Sequence, residues 1–197
     1  MKPQIILVGG GGHCVSCIDV IEQDGKFQIA GIVDVKKGGD QVLGYPVLGG
    51  DDDLPSLRKT YEYALVTIGQ IKTPITRMKL YQRLTLLGFN LPSIISPRAY
   101  VSKHAVIRDG SIIMHDVLIN AQAEIGNNCI INTKALIEHD SKIGSHCHIS
   151  TGAIINGGVT VGHGTFVGSN AVVRESVQIN ENFFVRSGSL FSGVDDE

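Results

Sequence analysis

The chain has 197 residues, 43 % hydrophobic and 18 % charged, with a net charge of -2. That is long enough for one large packed domain or two small ones, and too apolar for a disordered chain. Near-balanced charge without a Lys/Arg-rich run removes the electrostatic case for nucleic acid or an anionic membrane as partner, and no apolar stretch reaches the ~18 residues of a membrane span.

The N-terminus, "MKPQIILVGGGG", has too short an apolar run for a signal peptide and reads as a strand entering a glycine turn, so a cytoplasmic location is expected. "QIILVG" is the first predicted strand. "CVSCIDVIEQD" is a helix with Val15, Ile18, Val20 and Ile21 on one face, and "FQIAGIVD" is the second strand. "KKGGDQVLGYPVLGGDDD" reads as a loop-rich insertion. "YEYALVTIG" is the third strand, and "TPITRMKLYQRLTLLG" is a helix ending on Gly88. Strand-helix-strand order predicts a Rossmann-like α/β unit with a parallel sheet over residues 1–95.

Cys14 and Cys17 form C-x-x-C at a helix start, a pattern open to a redox pair or to two ordinary thiols; the preceding glycine run favours the second. In "VGGGGHC" the glycines follow a strand and open a helix, where backbone N–H groups can approach a phosphate. The fingerprint G-x-G-x-x-G is not met, because its third glycine falls on Cys14 counted from Gly9 and on Val15 counted from Gly10. A nicotinamide dinucleotide is therefore not indicated, and a phosphate site and a plain tight turn both remain open.

From Ala99 the rhythm changes to sixes: AYVSKH, AVIRDG, SIIMHD, VLINAQ, AEIGNN, CIINTK, ALIEHD, SKIGSH, CHISTG, AIINGG, VTVGHG, TFVGSN, AVVRES, VQINEN, FFVRSG. The third residue is Ile or Val in all fifteen hexads, and the first is small or modest except at Phe183. A hexapeptide period means a parallel β-helix, in which stacked turns build the core that no single turn can bury. Residues 96–197 are expected to form this second domain.

The hexad run resembles the left-handed β-helix acyltransferases, whose coils hold three hexads, so about five coils are expected. Together with "ILVGGGGH" it resembles the nucleotide-sugar N-acetyltransferase and sialic acid O-acetyltransferase group over nearly the whole chain.

With 18 residues per coil, residues 18 apart are stacked neighbours. Cys129 and Cys147 then adjoin in small corner positions, close enough for a disulfide, although buried thiols are expected in the cytoplasm. No pair among His104, His115, His139, His146, His148 and His163 differs by 18 or 36, so a histidine-stacked zinc site is not expected and no metal is assigned. Gly157 lies 18 residues after His139, which would set an imidazole beside an unshielded backbone N–H. Acyl transfer needs that pair, a base for the nucleophile's proton and a donor for the developing oxyanion. Asp140 can hold one ring nitrogen and raise the basicity of the other. A solvated polar corner is the alternative reading of Glu138-His139-Asp140.

The resemblance implies roles residue by residue. "NTKALIEHD" matches the family's N-T-x-x-x-I-E-H-[ED], making His139 the catalytic base, Asp140 its tuning carboxylate and Asn132 a residue that holds the acceptor. His148 in "CHISTG" matches the histidine near the acetyl group of acetyl-CoA, and Gly157 the glycine whose N–H meets the thioester carbonyl. Ser169 is a further coenzyme contact. Gly11, Gly12 and His13 fall near the diphosphate or sugar, Asp34 near base or ribose, and Gly69 of "TIGQ" matches "AIGN" in the same site, at the carboxyl ends of parallel strands. The family's closing G-[VN]-P-A-[KR] is missing from "FFVRSGSLFSGVDDE", which leaves open how CoA is held. The implied protein is a homotrimeric, acetyl-CoA-dependent N-acetyltransferase of a nucleotide-linked amino sugar for surface glycan synthesis, with a UDP-4-amino-4,6-dideoxy sugar favoured. O-acetylation of a sialic-acid-like sugar and a non-catalytic β-helix binding protein are the alternatives.

Overall fold

A computed structural model of the chain describes residues 2–35 and 40–193. The acidic end, residues 194–197, lies outside the described residues, as do the first residue and residues 36–39 of the predicted insertion. The first unit runs β1 (Gln4–Val8), α1 (Gly12–Asp24), β2 (Gln28–Val33), β3 (Gln41–Val42), β4 (Tyr45–Gly49), α2 (Leu54–Leu57), β5 (Tyr63–Val66), α3 (Ile75–Leu86). The sheet order is β3-β4-β2-β1-β5, with every pair parallel except β3 against β4.

Two expectations change here. The insertion contains a hairpin, because Leu43 (φ 48°) and Gly44 (φ 84°) form a two-residue turn with both residues left-handed, which pairs Val42 with Tyr45 and Gln41 with Pro46. Its second strand then extends the parallel sheet at β2. On α1, Val15 is exposed, and the buried face is Cys14, Cys17, Ile18, Val20 and Ile21. The two thiols serve as small apolar residues of that face. Gly25, left-handed at φ 65°, ends α1 by donating its N–H to Ile21 O at 3.0 Å.

The second unit is a three-sided prism of seventeen two-residue strands, β6 (Ile94–Ile95) to β22 (Leu190–Phe191), one strand more at each end than the fifteen hexads. The first face stacks β6, β9, β12, β15, β18 and β21; the second stacks β7, β10, β13, β16, β19 and β22; the third stacks β8, β11, β14, β17 and β20. Every stacked pair is parallel and offset by 18 residues, as in Ile119, Ile137, Ile155 and Val173. The inward third residues are almost all buried.

Most residues in sixth place, from Asp116 through Asp140 to Gly188, have φ between 53° and 71°. The chain bends there, which is why Gly, Asn and Asp recur at that place. Phe183 breaks the small-residue rule: its ring lies 5.5 Å from that of Phe191 and packs against the core that Phe191 joins.

The three outer surfaces differ. On the first face Ile94, Ile112 and Ile130 point outward yet are buried, and they join Cys14, Cys17, Ile18 and Ile21 of α1 in one continuous core. The third face is polar, with Glu124, Lys142, Thr160 and Gln178 in register. The second face carries a ladder of Tyr100, Leu118, Leu136, Ile154, Val172 and Leu190, at least partly exposed at every step and 65 % exposed at Leu190.

Arg77 also ties the units together. It occupies the buried stripe of α3 with Leu80 and Leu84 and is 1 % exposed. Its guanidinium donates to Val66 O (3.3 Å), Ile68 O (2.6 Å), Asn128 O (3.0 Å) and Asn128 Oδ1 (2.8 Å). Burial lowers its pKa to about 10, so it stays charged at neutral pH.

Candidate functional site

His139 follows β13 (Leu136–Ile137) at the corner between the second and third faces. Asp140 is left-handed at φ 60°, which turns its carboxylate back so that Oδ2 stands 2.7 Å from His139 Nδ1. The carboxylate accepts, so Nδ1 carries the proton and Nε2 keeps its lone pair. Glu138 Oε2 accepts His139 N–H at 3.2 Å and Asn120 Nδ2–H at 2.9 Å, fixing the backbone that carries the ring.

Gly157 lies one coil above. A Cβ built there would fall 2.7 Å from His139 Cε1 and 2.8 Å from Nε2, so the imidazole rests on the bare α-carbon. At equivalent places Ala121 and Thr133 donate their N–H to Asn120 Oδ1 and Asn132 Oδ1, both at 2.8 Å. Asn156 instead turns its amide to Val173 O at 2.8 Å, and Gly157 N–H donates to no group among the described residues. A proton acceptor and an uncommitted donor thus share one exposed corner.

Gly157→Ala is expected to push the ring off this floor and lower kcat by roughly 10²-fold with little loss of stability, because φ at Gly157 is not left-handed. Steady-state kinetics with a melting curve checks this.

The remaining predicted residues gather elsewhere. His148 lies in β15 (His148–Ile149) on the first face. Asn132 stands at the corner joining the first and second faces, 3.2 Å from His148 Nε2. Ser169 is at the same corner two coils up, its Oγ 3.0 Å from Ser150 Oγ. His13 opens α1 with its ring centroid 6.5 Å from that of His148, and a Cβ on Gly69 would lie 3.5 Å from His13 Cβ. Among the described residues, nothing beyond the adjoining backbone lies within 4 Å of a Cβ placed on Gly11 or Gly12, which leaves an open floor at the start of α1. Asp34 Oδ2 accepts Gly10 N–H at 2.6 Å. Within one chain, therefore, His139, Asp140 and Gly157 form one group, and Asn132, His148, His13, Gly69, Asp34, Gly11 and Gly12 form another. The second face separates them.

Gln70 was not legible as a site residue, since its only signal is its place after Gly69. It is 3 % exposed, its main-chain O lies 2.6 Å from His148 Nδ1, and its Nε2 donates to Gly164 O at 3.2 Å. Cys129 and Cys147 are buried free thiols, and each donates Sγ–H to a carbonyl of the next corner at 3.1 Å, Gly144 O and Gly162 O.

Burial lowers the pKa of His13 to about 3, helped by Arg77 and His148, and that of His148 to about 4, where the Gln70 carbonyl opposes part of the shift. Both are neutral when folded and titrate near 6.5 when unfolded. As pH falls below 6.5 the unfolded chain binds protons that the folded chain refuses. Stability is full above that pH and drops until the folded rings protonate near 4 and 3. The expected loss is about 1.4 kcal/mol per pH unit for each imidazole, read from urea midpoints between pH 7 and 4.

Residues 4–84 match the PglD N-terminal domain family and residues 95–193 the GMPPB C-terminal domain family. The fold is similar to PerB from Caulobacter crescentus in complex with CoA and GDP-perosamine, at 35 % identity and TM-score 0.91, covering 98 % of this chain and 90 % of that one. It is similar to a histidine-to-asparagine mutant of perosamine N-acetyltransferase from the same organism, also with CoA and GDP-perosamine, at 34 % identity, the same TM-score of 0.91 and the same 98 % and 90 % coverage. The acetyltransferase domain of PglB from Neisseria gonorrhoeae, with acetyl coenzyme A, matches at 27 % identity and TM-score 0.88, covering 95 % and 90 %. Curated protein sequences give no match. The prism is a left-handed parallel β-helix.

Proposed function

The chain belongs to the hexapeptide-repeat sugar acetyltransferases, and from that footing we propose that it transfers the acetyl group of acetyl-CoA to the amine of a nucleotide-linked amino sugar for glycan synthesis. The observation that carries the reading is the His139 ring lying on Gly157 with Asp140 on its Nδ1. In this reading the amine nitrogen attacks the thioester carbonyl while His139 Nε2 takes the proton that the nitrogen sheds. Gly157 N–H stabilises the tetrahedral oxyanion. The C–S bond then breaks, and the CoA thiolate leaves with the proton held by the imidazolium. Asp140 holds the ring in the accepting tautomer before the transfer and balances the imidazolium after it.

Residues 1–95 supply the acceptor site, with Gly11, Gly12, His13, Asp34 and Gly69 around the nucleotide sugar. Residues 96–197 supply the transferase, with Asn132 holding the acceptor and His148, Gly157 and Ser169 along the coenzyme. Without ligand, burial holds His13 as a neutral ring. The reaction is placed in the cytoplasm. The nucleotide is UDP or GDP, since the similar PerB was solved with GDP-perosamine and the family resemblance favours a UDP sugar.

A homotrimer belongs to the same proposal. In a closed threefold ring whose second faces turn toward the axis, the apolar ladder is covered. The corner bearing His139 and Gly157 of one chain then meets the corner bearing Asn132 of the next. Thiol release from acetyl-CoA, measured with UDP- and GDP-linked 4-amino sugars and with hydroxyl-only acceptors, tests the reaction. Release with an amino sugar supports it, and release only with the hydroxyl acceptors overturns it in favour of O-acetylation.

A further inference from the structure

The first-face half of the site contains a directed chain of hydrogen bonds whose polarity is fixed at both ends. At one end Asn132 Oδ1 accepts the N–H of Thr133 at 2.8 Å. That bond sets the amide orientation, so the group facing His148 Nε2 at 3.2 Å is the Nδ2 donor. A donor there requires Nε2 to be the unprotonated nitrogen. At the other end His148 Nδ1 lies 2.6 Å from Gln70 O, a main-chain carbonyl that only accepts. That contact requires the proton on Nδ1. Two independent anchors thus assign the same tautomer, and the ring is 7 % exposed, with Phe166 edge-on at 5.1 Å.

The Gln70 carbonyl is itself held in place. The side chain is buried, and its Nε2 donates to Gly164 O at 3.2 Å. It follows Gly69 directly, on the loop that packs against His13 in the acceptor half. The loop beside His13 and the histidine of the first face are therefore joined through one residue.

We propose that Gln70 is a positioning residue: it locks His148 as an Nδ1–H donor, so that His148 Nε2 acts only as an acceptor and turns one Nδ2–H of Asn132 toward the acceptor sugar. The proposal rests on the N-acetyltransferase reading for its last step alone. Two chemical consequences follow. His148 has no proton on Nε2 to give the thioester carbonyl, which leaves that oxygen to Gly157 N–H. Asn132 meets the acceptor as a hydrogen-bond donor, which suits a hydroxyl or phosphate oxygen of the nucleotide sugar. A neutral ring is also what its burial favours.

The test reads the ring directly and needs no turnover. Imidazole 15N–1H spectra of histidine-labelled protein are recorded at pH 7.5, with the His148 signals identified by their loss in His148→Phe. The expected pattern is Nδ1 in the protonated range and Nε2 in the unprotonated range. The reverse pattern, or exchange-averaged nitrogens, overturns the tautomer and the relay with it. Gln70→Ala removes the strut to Gly164. Its His148 nitrogens are expected to move toward the averaged range, and kcat to fall about tenfold with KM for acetyl-CoA unchanged. A variant that only melts earlier, with kcat and the His148 spectrum intact, reduces Gln70 to a structural residue and refutes the positioning role. The wild-type spectrum stands whether or not an amino sugar is the substrate, so failure of the relay and failure of the functional reading give different results.

Discussion

His139→Ala is expected to lower kcat by about 10²–10⁴-fold, the range that a positioned general base contributes. The side chain is 62 % exposed and contributes nothing to the core, so the melting temperature should stay within the scatter of surface substitutions. The loss should fall on kcat, because the imidazole acts only as the amine sheds its proton. Single-turnover kinetics with saturating acetyl-CoA separates this from a binding defect. A variant with an unchanged chemical step would remove His139 from the mechanism. Gly157→Ala reaches the same corner from the other side, displacing the ring instead of deleting it, and should fall between His139→Ala and the parent.

The second large effect concerns stability. Arg77→Ala should cost about 3–5 kcal/mol, from buried carbonyls left unpaired and the cavity of a long side chain. No carboxylate faces this guanidinium in any ion pair among the described residues; it is held by carbonyl oxygens of β5, of the loop after it, and of Asn128 in the prism. Truncation leaves those acceptors unpaired in a buried seam and opens a cavity there. Arg77→Lys should recover little, since one ammonium cannot reproduce the planar fork that reaches both units. Urea denaturation reads the loss. A change below 1 kcal/mol would show that the seam holds without this residue.

The prism was legible because its physics repeats. An aliphatic residue in third place recurs for fifteen hexads, with a small or modest one in first place in all but the last, and each coil nearly copies the one before. The pairing of His139 with Gly157 followed from that period once the family resemblance set three hexads to a coil. A finer signal lay in the second place of each hexad and went unread. Ile112, Ile130 and Phe166 belong to the covered first face, Leu118, Leu136 and Ile154 to the bare apolar second face, and Glu124, Lys142 and Thr160 to the solvated third. Taken every third hexad, that pattern marks which side docks α1 and which stays apolar and at least partly exposed. Arg77 was legible in the same way, as a cation at an apolar place in the stripe of α3 with Leu80 and Leu84. Gln70 was not, because its partners, His148 and Gly164, lie 78 and 94 residues away and no period connects them. The hairpin at Leu43-Gly44 escaped for a local reason: its first strand has two residues and stands beside a Lys-Gly-rich stretch, so it has no alternation to detect.

The central claim is that the corner bearing His139 and Gly157 works against the first face of a neighbouring chain. Co-expression of two disabled chains tests it most directly. One carries His139→Ala, and the other is disabled on the first face by Asn132→Ala with His148→Ala. In a closed threefold ring each corner meets the next chain's first face, so a random equal mixture should recover about one quarter of the parent activity, from sites built of two intact halves. Activity no greater than the sum of the two chains assayed separately would place both halves of each site in one chain and contradict the account.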